Sequence, residues 1–177
     1  MTQPSMLNIS NILELPIILH IRRNHGLEHA TLHTLANRQP NTMLMGHSDI
    51  GGFWIIGDVA PDMLHTAVLE AIARLRAGER QLAIHPNCGT NYATAGVLAG
   101  LAGASAMLGS GKRMQDKLAR LPFAAALATI ALIISQPLGL LLQARVTTSG
   151  DPGSLEVTAI SHKQRGRMTI HRVQTRG

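Results

Sequence analysis

Residues 122–143 read PFAAALATIALIISQPLGLLLQ, a run of about 22 residues without a charge, and no other feature narrows the fold as much. At 1.5 Å per residue a helix of that length reaches roughly 33 Å, enough to cross the hydrocarbon core of a bilayer. A second uncharged stretch, residues 86–111, precedes it, and the basic loop KRMQDKLAR separates the two. Its apolar part, NYATAGVLAGLAGASAMLGSG, is rich in Ala and Gly, and the Gly96/Gly100 pair at GxxxG spacing suits close packing against another helix in lipid. The expectation is a two-helix transmembrane hairpin whose first, weakly apolar span crosses because it pairs with the second. The alternative is two buried helices of a soluble core, but about 20 apolar residues twice over exceeds what such helices need.

The hairpin divides the 177-residue chain into three parts: residues 1–90, the spans at 91–143, and a tail at 144–177. No secretory signal is expected in MTQPSMLNISNILELPIILHIRR, because its arginines follow the apolar part and no small-residue cleavage site appears. The net charge of +6 falls both in the loop between the spans and outside them, so counting positive residues does not orient the hairpin. A single cysteine excludes an intrachain disulfide and fits a reducing compartment, which places the polar domain in the cytoplasm. Basic charge beside membrane spans fits anionic lipid. With two Phe, one Tyr and one Trp there is no aromatic platform for bases, so nucleic acid is set aside and membrane lipids, a protein partner or a second copy are the expected partners.

Pro16 can open a helix that runs through IILHIRRNHGLEHATLHTLA to about Asn37, weakened locally by Gly26. MLMGHSD and GGFWIIGDV then read as a β-hairpin, and a helix from Asp58 or Pro61 carries apolar residues at Met63, Val68, Ile72 and Leu75, with Gly78 past its end. QLAIHP reads as a strand ending at Pro86. Beyond the spans, ARVTTS, SLEVTAISH and RMTIHRV alternate like strands, which predicts a small β-meander packed on the first domain. The fold class is therefore α+β: a helix/β-hairpin/helix domain plus a C-terminal β-meander, joined by the membrane hairpin.

Two short stretches carry chemistry. In NHGLEHATLH, residues 24–33, His25 and His29 are one helical turn apart and can reach a single ion at about 2.0 to 2.1 Å, with Glu28 beside them. The order His, two residues, Glu, His is the inverted form of the zincin helix, in which two histidines hold zinc and the glutamate takes a proton from water. Solvated or hydrogen-bonded core histidines would give the same pattern. His33 lies two turns from His25, about 12 Å along the axis, too far for all three to share one ion, and is read as supporting or superficial.

In HPNCGTN, residues 85–91, His85 and Cys88 are separated by two residues on a tight turn shaped by Pro86 and Gly89, so imidazole and thiolate can bind one ion. The same residues could simply start a helix, with Asn87 or Thr90 capping it and Cys88 as filler. Together the stretches offer four ligands of the type zinc prefers over magnesium or calcium.

His-Gly-Leu-Glu-His-Ala-Thr followed by His-Pro-Asn-Cys-Gly-Thr before a span resembles the YqhQ-like family of uncharacterised bacterial membrane proteins, predicted to be metal-dependent enzymes, in which His-Gly-Ala-Glu-His pairs with His-Pro-Arg-Cys-Gly-Thr. The resemblance is confined to these motifs. It differs at Leu27 and Asn87 and in the number of spans, which points to a sister family, and it implies roles for His25, Glu28, His29, His85 and Cys88. The expected function is a membrane-bound zinc hydrolase, with peptidase the first kind to consider and Glu28 as proton acceptor. The competing expectation is a non-catalytic metal-binding module in which the ion clamps helix to turn and the protein binds lipid or a partner.

Overall fold

The computed structural model describes residues 9–166 and 168–177, so the first eight residues of the N-terminal segment and Arg167, which opens RMTIHRV, lie outside the described residues. The described chain has α+β architecture: helices α1 (Ile9–Leu13), α2 (Pro16–Arg38), α3 (Pro61–Arg76), α4 (Gly89–Met107) and α5 (Met114–Leu142), with strands β1 (Leu44–Asp49), β2 (Gly52–Gly57), β3 (Glu156–Arg165) and β4 (Met168–Arg176). The strands form one antiparallel sheet in the order β1-β2-β4-β3. Two compact units result, Met1–His85 with Ala144–Gly177, and Pro86–Gln143.

In the first unit, β4 pairs with β2 from Gly52↔Gln174 to Gly57↔Thr169, so the C-terminal strands extend the sheet of the early hairpin instead of forming a meander of their own. Inward-facing Phe53, Ile55 and Val173 pack with Leu27 and Leu35 of α2 and with Leu64, Val68 and Leu75 of α3, all buried. That burial, at roughly 25 cal/mol per Å² of apolar surface, is the main force holding α2 and α3 to the sheet. Opposite this layer Arg172 lies 4.8 Å from the Trp54 ring and grips Asp49 through two bonds of 2.8 and 2.7 Å, which ties β1, β2 and β4 together. The Arg172 guanidinium holds the Asp49 carboxyl below its ordinary range.

As expected, α2 runs unbroken through Gly26 to Arg38. A Cβ on Gly26 would strike the Ser149 carbonyl oxygen and sit 3.2 Å from the Ala83 Cβ, so its lack of a side chain lets two other segments close on the helix. QLAIHP is not a strand: residues Arg80–Ala83 form a 3-10 turn, and the carbonyls of Ala83 and Ile84 bond histidines of α2 in place of a ladder. ARVTT is not a strand either, because Gln143–Thr147 winds on from α5 as a π-helical turn.

The second unit is an antiparallel pair of helices. Near one end of the pair Arg120 donates to the carbonyls of Ala106 and Leu108, and near the other Gln143 Nε2 donates to Asn91 Oδ1 at 2.6 Å. A Cβ on Gly139 would meet Asn91, so this glycine permits the close approach there. Gly96 and Gly100 do not serve that purpose; a Cβ on either would enter open space. Among the described residues one helix, Met114–Thr147, is long and apolar enough to cross a membrane. The Ala/Gly/Ser/Thr content of α4 leaves it below that mark, so a two-span hairpin is not established by length and composition.

Candidate metal centre

The helix α2 presents its histidines in a row, and each of three has a backbone carbonyl as partner. His25 Nδ1 lies 3.0 Å from the Thr147 oxygen, His29 Nδ1 lies 2.8 Å from the Ala83 oxygen, and His33 Nε2 lies 2.8 Å from the Ile84 oxygen. A carbonyl can only accept, so the nitrogen facing it carries the proton; in the neutral rings of His25 and His29 this leaves Nε2 as the nitrogen with the lone pair. Carbonyl support of that kind fixes the tautomer and orientation of metal-binding histidines. The donor set fits a divalent transition metal.

The rings sit together. Centroids of His25 and His29 are 4.4 Å apart, His85 is 5.6 Å from His29, and His33 is 4.9 Å from His85. The sequence spacing brought the first pair together through one helical repeat, whereas His85 arrives because the 3-10 turn anchors to α2 through Ala83 and Ile84. Burial, reinforced by the neighbouring charge of His33, lowers the His85 pKa and favours the neutral imidazole that a metal requires.

His33, read from its spacing as supporting or superficial, is therefore part of the support for the turn that delivers His85. Cys88 follows in the second unit as the N-cap of α4, its Sγ accepting the Thr90 N–H at 3.4 Å, so the capping alternative describes its local hydrogen bonding. A capping thiol keeps its chemistry as a ligand.

Glu28 lies in the turn of α2 between His25 and His29. Its carboxyl is buried against β1, where a Cβ on Gly46 would collide with Oε1, Cδ and Cγ. One turn earlier Asn24, fully buried, donates to the Asp49 carbonyl at 2.9 Å and accepts from Thr175 Oγ1 at 2.6 Å, which sets the register of α2 on the sheet. Asn24 and Gly46 were both missed as contributors. A glycine inside a strand pattern, as in LMGHS, is the signal that could have flagged the second; Asn24 had none.

Among known proteins, the family described as "Domain of unknown function (DUF6391)" matches residues 20–160. An uncharacterized protein of Picosynechococcus sp. is 40% identical over 142 residues, covering 75% of this chain and 67% of that relative. No solved structure matches the chain. Both His motifs and the α4–α5 pair fall inside the matched region.

Proposed function

Because this chain belongs to the DUF6391 family, whose description names no activity, we propose from the site itself that it is a membrane-bound, zinc-dependent hydrolase with peptidase chemistry. The observation that carries the reading is the carbonyl support of His25 and His29 through Nδ1, which turns both Nε2 lone pairs into prepared ligands. A third protein ligand comes from the turn that carries His85 and Cys88, since two intervening residues keep both within reach of one ion. A zinc ion bound there would supply Lewis acidity and lower the pKa of water toward neutrality. In this reading Glu28, adjacent to His29 in the chain and buried, would accept the proton. The paired His-Gly-Leu-Glu-His and His-Pro-Asn-Cys-Gly-Thr motifs, similar to those of the YqhQ-like proteins, support the same reading.

Membrane residence rests on α5 and on the outward exposure of apolar residues such as Phe123, Ile133, Val97 and Leu101, which suits lipid and not water. In this reading α4 and α5 both enter the bilayer, and lipid surrounds them. The competing function, a closed metal clamp without turnover, is favoured by one observation: His29 and Glu28 are almost wholly buried.

The discriminating experiment is Glu28→Gln in the full-length, zinc-loaded protein, assayed for hydrolysis of unfolded casein. Loss of a general base costs about 10²- to 10⁴-fold in rate with zinc retained. Equal turnover by the variant, or none by the wild type against a broad set of hydrolysable substrates, overturns the enzymatic reading.

A further inference from the structure

We infer that the outer edge of β1 is a docking site for an extended polypeptide, which adds to the sheet as a fifth strand beside Glu28. This deepens the hydrolase reading and rests on it for the fate of the bound chain, but the docking geometry stands on the sheet alone.

The two edges of the sheet differ in kind. At the far edge β3 carries Glu156, Lys163 and Arg165 and a register irregularity between Val157 and Ala159, all devices that stop another strand from pairing. β1 has no such irregularity and a single charge. Its sequence is LMGHSD, and its only charged residue is Asp49, whose carboxylate is already gripped by Arg172 within the sheet. It has one strand neighbour among the described residues, and Met45, Gly46 and His47 at its centre are exposed.

The register says which groups point outward. The hairpin β1–β2 closes over a two-residue turn, so Asp49↔Gly52 is the hydrogen-bonded pair and His47↔Trp54 and Met45↔Ile56 follow it alternately. The N–H and C=O of Gly46 and Ser48 therefore point away from β2, toward the position of an added strand. Gly46 is also the residue against which the Glu28 carboxyl rests. A chain paired with Gly46 would thus run beside the carboxylate, on the strand that packs against the helix of His25 and His29. Such pairing is made by main-chain hydrogen bonds, so the ligand class is an unfolded or locally extended polypeptide whatever its sequence.

The test uses the full-length Glu28→Gln protein, zinc-loaded and in detergent micelles, with reduced and carboxymethylated α-lactalbumin as a permanently unfolded probe. Amide hydrogen exchange should slow at Gly46 and Ser48 when the probe is added, and stay unchanged along β3. Ser48→Pro, which removes one outward N–H from an edge strand, should weaken probe binding about tenfold with metal content unchanged. Failure to bind, or binding without protection at Gly46 and Ser48, overturns the docking site. If the wild type hydrolyses the probe while β1 stays unprotected, the docking site falls and the hydrolase stands; protection without turnover does the reverse.

Discussion

The Glu28 carboxyl occupies the space that a side chain at Gly46 would need, which couples the helix of the metal motif to the edge of the sheet through one missing Cβ. Gly46→Ala should therefore cost about 1–3 kcal/mol as Glu28 is driven out of a packed position. The same change in a Glu28→Ala background should cost much less, because the clash is gone. Thermal unfolding of the four proteins of this cycle gives the coupling energy, and additive losses would mean the two residues are independent.

Metal binding should separate the histidines of α2. His25→Ala or His29→Ala removes a ligand, and stoichiometric zinc is lost. His33→Ala keeps the metal but loosens the turn through Ile84, lowering affinity about 10- to 100-fold, the usual cost of losing an outer support. Zinc titration of the purified variants measures this; stoichiometric zinc in His29→Ala would refute the ligand assignment.

How much of this was legible in the sequence depends on range. His25, Glu28 and His29 share a helical repeat, so their proximity follows from local geometry, and the β1–β2 hairpin follows from its Asp/Gly turn. The 3-10 turn at Arg80–Ala83 was hidden, because QLAIHP alternates like a strand while its carbonyls are claimed by His29 and His33 from a distant helix. ARVTT misled in the same way, continuing α5 where its pattern suggested a new strand. Nothing local marks the Glu28 carboxyl as resting against Gly46 of β1, or Asn24 as tying α2 to Asp49 and Thr175. Contacts between residues far apart in the chain leave no period to read.

Acid should destabilise the first unit through His171. Its ring is buried, with Nε2 3.0 Å from the Val59 carbonyl, and burial, aided by the charge of His162, lowers its pKa in the folded state. The folded protein then binds that proton more weakly than the unfolded chain, so this contribution is complete above the unfolded value of about 6.5 and is lost as pH falls through the folded one. Unfolding temperatures taken from pH 8 to pH 5 should drop, and His171→Gln should flatten the decline. An unchanged slope in the variant would remove His171 as the cause.

Ala131→Arg puts a charge near the middle of α5, at about 2.5–3.5 kcal/mol on insertion scales. Membrane fractionation should show reduced integration of the variant. If wild type and variant both stay folded in buffer without detergent, α5 is not a membrane span.

The central claim is an open zinc centre built on His25, His29 and the His85/Cys88 turn, and X-ray absorption on the purified full-length protein tests it most directly. The account predicts one zinc per chain with three protein ligands, nitrogen at about 2.0–2.1 Å and any sulfur at about 2.3 Å, plus one oxygen from water. Four nitrogen and sulfur ligands with no oxygen, or a protein purified and reconstituted without stoichiometric zinc, would contradict it.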